Sequence, residues 1–328
     1  MARSLIVLPD DSAAPILNAI QQAKTSLHIK MFVFSDAALV HSVLTAHQRK
    51  VKVRVMLNPA RRSGQEDNLG TRGLLERAGI EVLDSNPAYD ITHEKSVVID
   101  GRAALIQSLN WESKNFEKVR DYAVMTTHKN EVAEIVACFE ADWHRAPFAP
   151  GSGDLLWCKG NARERIAHII DAARHSLIVQ NERYQDPVII ERLVRARRRG
   201  VKVHMFARAP HMLKQEKLVE GLEGLRIMDD VGIKIHTVKH LKLHAKMLLA
   251  DGERAIIGSI NLTPGSFDSR RELAIEVTDK HVVNRLHQVA AHDWEHSRPL
   301  DLSDQAILED LKGRLDPCGL ALDCAPGR

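Results

Sequence analysis

The chain has 328 residues, 44% of them hydrophobic, enough for one or two substantial cores. Lys and Arg number 46 against 43 Asp and Glu, a net charge of +3, too mild to announce a nucleic-acid binder, and aromatic residues at 4% argue against a stacking platform for single strands. No stretch of 18 apolar residues exists, which excludes a membrane-spanning helix.

In chain order, residues 1–9 carry a short apolar run and one Arg, too short for an ordinary signal peptide. The expected location is therefore cytoplasmic or peripheral to a membrane, or secreted if a signal peptide has been removed. Ile16, Ala19, Ile20 and Ala23 have helical spacing. A buried strand is predicted over 27–34, a helix over 37–47, a strand over 51–57, a helix over 69–78 ending at Gly79, and a short strand over 80–83. The polar segment 59–73 is expected to edge a site or to be mobile surface. The pattern then changes: strands over 92–99 and 103–106 flank Asp100-Gly101, a strong hairpin signal, followed by a strand over 120–126 and a closing helix over 131–143. Residues 146–160, with Pro147, Pro150, Gly151 and Gly153, read as a linker.

The second half repeats the first. His93, Lys95, Asp100, Ser108, Asn110 and Asp121 recur as His244, Lys246, Asp251, Ser259, Asn261 and Glu272, each 151 positions on (244 − 93 = 151). Asp142 and Trp143 recur as Asp293 and Trp294 at the same offset. Earlier pairs, Ser26 with Ser176 and Val51 with Val201, are 150 apart. A polar set does not hold register over such a span through packing alone, so one active site assembled from two half-sites is predicted. The expected fold class is α/β: two similar lobes related by a pseudo-twofold axis, each a mixed sheet flanked by helices. The lobes are placed at 1–149 and 150–300, with a short C-terminal extension at 301–328.

Residues i and i+2 of a strand share a face. His93 and Lys95 would then project together, as would His244 and Lys246, and two such strands facing one another would line one electropositive cleft. Ser108, Asn110, Ser259 and Asn261 offer short hydrogen-bonding groups suited to phosphate oxygens. One histidine can attack phosphorus while the other protonates the leaving oxygen and then activates water or an alcohol. Asp121 and Glu272 can fix the imidazole tautomers. Four positive groups can replace a divalent metal, so no metal or other cofactor is expected.

His93-x-Lys95-x4-Asp100 and His244-x-Lys246-x4-Asp251, with Gly258-Ser259-x-Asn261 and Glu272 downstream, resemble the doubled signature of the phospholipase D superfamily over nearly the whole chain. The resemblance implies a phospholipase D-like fold and a metal-independent phosphodiesterase or phosphatidyltransferase. It implies His93 as nucleophile, His244 as general acid and base, and a structural role for Asp100 and Asp251. Two departures stand out: Gln107 where the second half has Gly258, expected to crowd or reshape the phosphate pocket, and Asp121 where it has Glu272.

The leading expectation is hydrolysis or transphosphatidylation of phospholipids, with peripheral contact to a lipid surface. A nuclease acting on DNA or RNA is the alternative, supported by the mild positive charge and the run Arg195, Arg197, Arg198 and Arg199, and a non-catalytic phosphate-binding scaffold is a third. A cardiolipin-type synthase is disfavoured because no spanning segment opens the chain. Both motifs lie in one chain, so an oligomer is not required. Asp142, Trp143, Asp293 and Trp294 are expected to close helices on the sheets, and His204, His236 and His240 to be ordinary core or surface residues. Cys138, Cys158, Cys318 and Cys324 form no Cys-x-x-Cys pair, which argues against a cysteine zinc site; Cys318 and Cys324 could pair in an oxidising compartment.

Overall fold

A computed structural model describes residues 2–61, 63–208 and 215–315; Cys318 and Cys324 lie outside the described residues. Two mixed sheets form. The first runs in the order Arg3–Leu8, Val119–Thr126, Ala103–Gln107, Ser96–Ile99, Ser26–Met31, Lys52–Leu57, Glu81–Asp84. The second runs Ser297–Pro299, Lys234–Val238, Lys202–Phe206, Ser176–Gln180, Met247–Ala250, Arg254–Gly258, Leu273–Val277, Leu155–Trp157. Strands joined through helices are parallel, as Ser26–Met31 with Lys52–Leu57 across helix Ala37–Gln48, and their counterparts across helix Pro187–Arg198. Asp36 and Asp186 cap these two helices by accepting from the Leu39 and Ile189 amides.

The motif strands are antiparallel hairpins closed by Asp100-Gly101 and Asp251-Gly252, all four residues at positive φ (54°, 61°, 53° and 68°). Asp and Gly tolerate that conformation. The Asp100 carboxylate accepts the amides of Lys24, Thr25 and Ser26, and Asp251 those of Arg174, His175 and Ser176. Each aspartate thereby ties its hairpin to the start of the neighbouring strand.

A continuous apolar core lies between the sheets, with Val7, Ile106, Tyr122 and Val124 from one half against Leu243, Met247, Ile257 and Ile275 from the other. Two further cores lie under the helices. Leu302 and Ile307, beyond the repeat, are buried in the core of the second half, Ile307 from helix Asp304–Leu315.

Three expectations are corrected. Arg3–Leu8 is an edge strand, paired antiparallel with Val119–Thr126, and the predicted linker contains its counterpart, strand Leu155–Trp157; both continue a ladder whose partner lies far along the chain. The strand predicted over 92–99 is regular only at Ser96–Ile99. The His93 and Glu94 amides both donate to Arg271 O in the other half (2.9 and 3.0 Å), which draws Thr92–Lys95 out of its own sheet. Gln107 does not crowd the cleft: its Oε1 accepts from Trp111 Nε1 at 3.1 Å.

At Gly258 a Cβ would fall inside van der Waals contact with Leu273 O and Ala274, so this glycine sets how closely two strands approach. Gly258→Ala is expected to cost about 1–3 kcal/mol through overpacking, read as a lower urea midpoint with unchanged slope. Arg199 donates to the carbonyls of Ile170, Asp171 and Ala173, and Arg49 does the same to Ile20, Gln21 and Ala23. Part of the arginine run therefore caps a neighbouring helix.

Candidate active site

Each motif histidine is held by the opposite half. His93 Nδ1 lies 2.9 Å from Glu272 Oε2 and 3.2 Å from Ser259 O. His244 Nδ1 lies 2.9 Å from Asp121 Oδ2, and the His244 and Ala245 amides donate to Arg120 O (3.2 and 2.9 Å). Glu272 is fully buried; burial opposes its charge, but His93, Arg270 and Lys95 hold it below the usual glutamate value. An ionised carboxylate and a carbonyl only accept, so Nδ1 of His93 carries the hydrogen and Nε2 is left with its lone pair. The same logic gives His244 a free Nε2. Among the described residues neither Nε2 has a protein hydrogen-bond partner, and neither is a buried orphan.

Lys95 and Lys246 are buried, each donating from Nζ to the carbonyl of its own motif histidine. Burial lowers the pKa of Lys95 well below the ordinary lysine value, and the Lys246 charge lowers it further. Lys246 is lowered by burial and Arg208, against the pull of Glu182 and Asp121. Burial and the Lys95 charge bring His93 down to about 3, and burial lowers His244. The two pairs thus sense one another across the boundary: Lys246 acts on both His93 and Lys95. Burial thus outweighs the pull of Asp121, Glu182 and Glu272 on the two lysines, and an anion entering the cleft would favour their protonated forms.

The serine hydroxyls are not left over. Ser108 Oγ donates to Asp121 Oδ1 at 2.6 Å, and Ser259 Oγ bridges the Leu273 carbonyl and amide; both residues are fully buried. Asn110 Oδ1 and Asn261 Oδ1 are buried with no partner among the described residues, so each keeps an acceptor that the fold does not use, while Asn110 Nδ2 donates to Glu112 Oε2 at 3.3 Å.

Several site residues escaped the sequence reading. Arg120 and Arg271 immediately precede the paired acids and stand 151 apart (271 − 120 = 151). Arg120 pairs with Asp293 (2.9 Å) and Arg271 with Asp142 (2.9 Å). The terminal helix of each half therefore clamps the arginine whose carbonyl positions the histidine of its own half. The repeat offset was the available signal.

Lys30, also missed, is fully buried and reaches Asp142 at 2.7 Å, Glu94 at 2.9 Å and Cys138 Sγ at 3.5 Å. Glu94, Cys138 and Asp142 are close enough together to suggest a metal site. The Lys30 ammonium already fills the space between them, and burial keeps the thiol protonated, so this donor set does not fit a cation. His204 and His236 stack on Trp294, with ring centroids 4.4 and 3.8 Å away, and Trp143 stacks on Phe139, packing that closes the helices as expected.

The family model described as "Cardiolipin synthase, PLD-like domain" matches residues 16–143 and again 166–294. The chain is 30% identical to the human "Mitochondrial cardiolipin hydrolase" over 137 residues, 42% of this chain and 52% of that protein. It is 27% identical to a polyphosphate kinase of Helicobacter pylori over 301 residues, 86% of this chain and 43% of that protein. It thus spans about half the length of these curated relatives. Its fold superposes on the phosphatidylserine synthase of Haemophilus influenzae with a TM-score of 0.73 at 11% identity, covering 96% and 93% of the two chains.

Proposed function

The chain belongs to the phospholipase D superfamily, and from that premise we propose that it is a metal-independent phosphodiesterase that hydrolyses or transfers phosphatidyl groups through a phosphohistidine. One observation carries this reading: two imidazoles from the two halves, each with Nδ1 held by the other half's carboxylate, flank two buried lysines whose charge burial disfavours, only Lys246 having a carboxylate within 4 Å among the described residues, that of Glu182. A phosphodiester supplies a further anion that offsets this cost.

His93 Nε2 attacks phosphorus. His244 protonates the leaving oxygen, then takes the proton of the entering water or alcohol. Lys95, Lys246 and the Nδ2 groups of Asn110 and Asn261 donate to the equatorial oxygens. Asp121 and Glu272 orient the rings, Ser108 and Ser259 brace the carboxylate strands, and Asp100 and Asp251 brace the hairpins. The lobes divide at about residue 150, with the cleft between them. The family match to cardiolipin synthases and the likeness to a cardiolipin hydrolase favour a lipid diester, and they set transfer beside hydrolysis rather than behind it. Among the described residues no helix is long and apolar enough to cross a membrane.

The test is a parallel assay of phosphatidylglycerol vesicles, phosphatidylcholine vesicles, single- and double-stranded DNA, RNA and polyphosphate, each with excess chelator. Lipid turnover undiminished by chelator is expected. Nucleic-acid cleavage without lipid turnover would transfer the assignment to the nuclease reading, and binding without turnover of any substrate to a phosphate-binding scaffold.

A further inference from the structure

The repeat allows each half-site to be compared with its copy, and one position differs sharply. Beside His93 stands Phe32, edge-on to the imidazole with centroids 4.9 Å apart, and Lys95 Nζ lies 5.1 Å from the same ring. The counterpart of Phe32 is Glu182 (182 − 32 = 150). The structure fixes this register: Asp36 and Asp186 cap matching helices, and Phe34 and Tyr184 bridge to Trp111 and Leu262.

Glu182 has a side chain only 9% exposed, 3.1 Å from Arg208 and 3.7 Å from Lys246 Nζ. Arg208 itself replaces Asn58 at the same offset. Both secure the segment ahead of a histidine, Asn58 Oδ1 accepting from the Thr92 amide (3.0 Å) and Arg208 Nε donating to Leu243 O (3.2 Å). The same scaffold therefore accepts an apolar ring on one side and a nearly buried ion pair on the other. Burying such a pair is not a route to stability when an apolar residue fits the equivalent position.

We propose that Glu182 and Arg208 form the alcohol subsite of this enzyme and select alcohols that carry a second hydroxyl. The inference rests on the reading above, in which His244 serves the leaving and entering oxygens. In-line attack by His93 puts the leaving oxygen on the far side of phosphorus, toward His244, whose charge the Glu182 carboxylate senses. In the first step His93 Nε2 forms the P–N bond, the P–O bond to the leaving alcohol breaks, and that oxygen takes the His244 proton. In the second, an alcohol oxygen forms a new P–O bond, its proton passes to neutral His244, and the P–N electron pair returns to His93. During both steps a neighbouring hydroxyl donates to the Glu182 carboxylate while its oxygen accepts from Arg208. A hydrogen bond to a charged group discriminates by roughly ten- to a hundred-fold, and a simple alkanol has nothing to place there. Phe32 offers no such partner beside His93.

The test compares propane-1,2-diol with propan-1-ol as competing acceptors, using vesicles containing phosphatidyl-p-nitrophenol. Both products come from one phosphoenzyme, so their ratio is independent of how fast that intermediate forms. The wild-type protein is expected to favour the diol by about ten-fold or more, and Glu182→Gln and Arg208→Gln each to bring the ratio close to one. The alcohol subsite is overturned by p-nitrophenol release without diol preference in the wild type, or by a preference that survives in either variant. Absence of any p-nitrophenol release by the wild type would overturn the phosphatidyl-transfer reading, and the subsite with it.

Discussion

Replacing His93 with Asn is expected to lower kcat on order of 10⁴-fold or more, because the attacking nitrogen is removed and the buried lysines cannot substitute for it. His244→Asn is expected to lower kcat by about 10²- to 10⁴-fold; with p-nitrophenol, which departs without protonation, the first step escapes the loss, so a burst of release precedes slow turnover. Quenched rapid-mixing assays with the p-nitrophenyl ester separate the roles: His244→Asn accumulates phosphoenzyme and His93→Asn forms none. Phosphate trapped on His244 instead would reverse the assignment.

The pH profile follows from the same geometry. His93 must be neutral to attack, and burial with the Lys95 charge holds it at about 3, so the acid limb lies near that value and far below that of a free imidazole. His244 must be protonated to serve as the acid, and burial lowers its pKa. The alkaline limb of kcat/KM is therefore expected below the ordinary imidazole value. In kcat it moves upward, since a bound phosphate anion favours the imidazolium.

The largest expected stability effect is at Lys30. Lys30→Met leaves Glu94 and Asp142, each 1% exposed, without the cation between them, a loss of about 3–5 kcal/mol in urea unfolding. The second half indicates the remedy. There Gln180 occupies the place of Lys30 (180 − 30 = 150) and Ala245 that of Glu94 (245 − 94 = 151), while Asp293 keeps Arg120. Lys30→Gln with Glu94→Ala copies that arrangement, and the double variant is expected to recover most of the loss. Equal destabilisation of single and double variants would show that the ion pair is not the cause.

The wild-type network also has a pH signature. Burial opposes ionisation of Asp142, but Lys30 and Arg271 carry its pKa from 3.8 down to about 2. A lowered carboxylate contributes stability above its unfolded value and loses it as pH falls toward the folded one. The contribution is therefore complete above about pH 4 and fades toward pH 2.

The two histidines and two lysines were legible because chemistry-bearing residues keep a fixed offset even where the strands around them differ. The hairpin aspartates were legible because Asp-Gly turns have a local cause. Which carboxylate serves which histidine was not: a 151-residue offset allows Asp121 to serve His93 as readily as His244. The exchange is decided by Arg120 O and Arg271 O, each accepting two amides from the other half. The serines read as phosphate ligands because a free hydroxyl and a hydroxyl already donating to Asp121 look the same in sequence. Gln107 read as an obstruction because its Trp111 partner fixes its direction only in the folded chain.

The amino-acid sequence by itself determined that this protein is a duplicated α/β chain with two copies of one phosphate-handling motif, since periodicity, turn chemistry and repeat spacing are local properties. Only the tertiary structure decided that each half completes the other's histidine, that Lys30 fills the one clustered acid–thiol set among the described residues, and that Phe32 and Glu182 make the two sides of the cleft unlike. Those outcomes depend on burial and on contacts between residues well separated in the chain, whose partners no local pattern specifies.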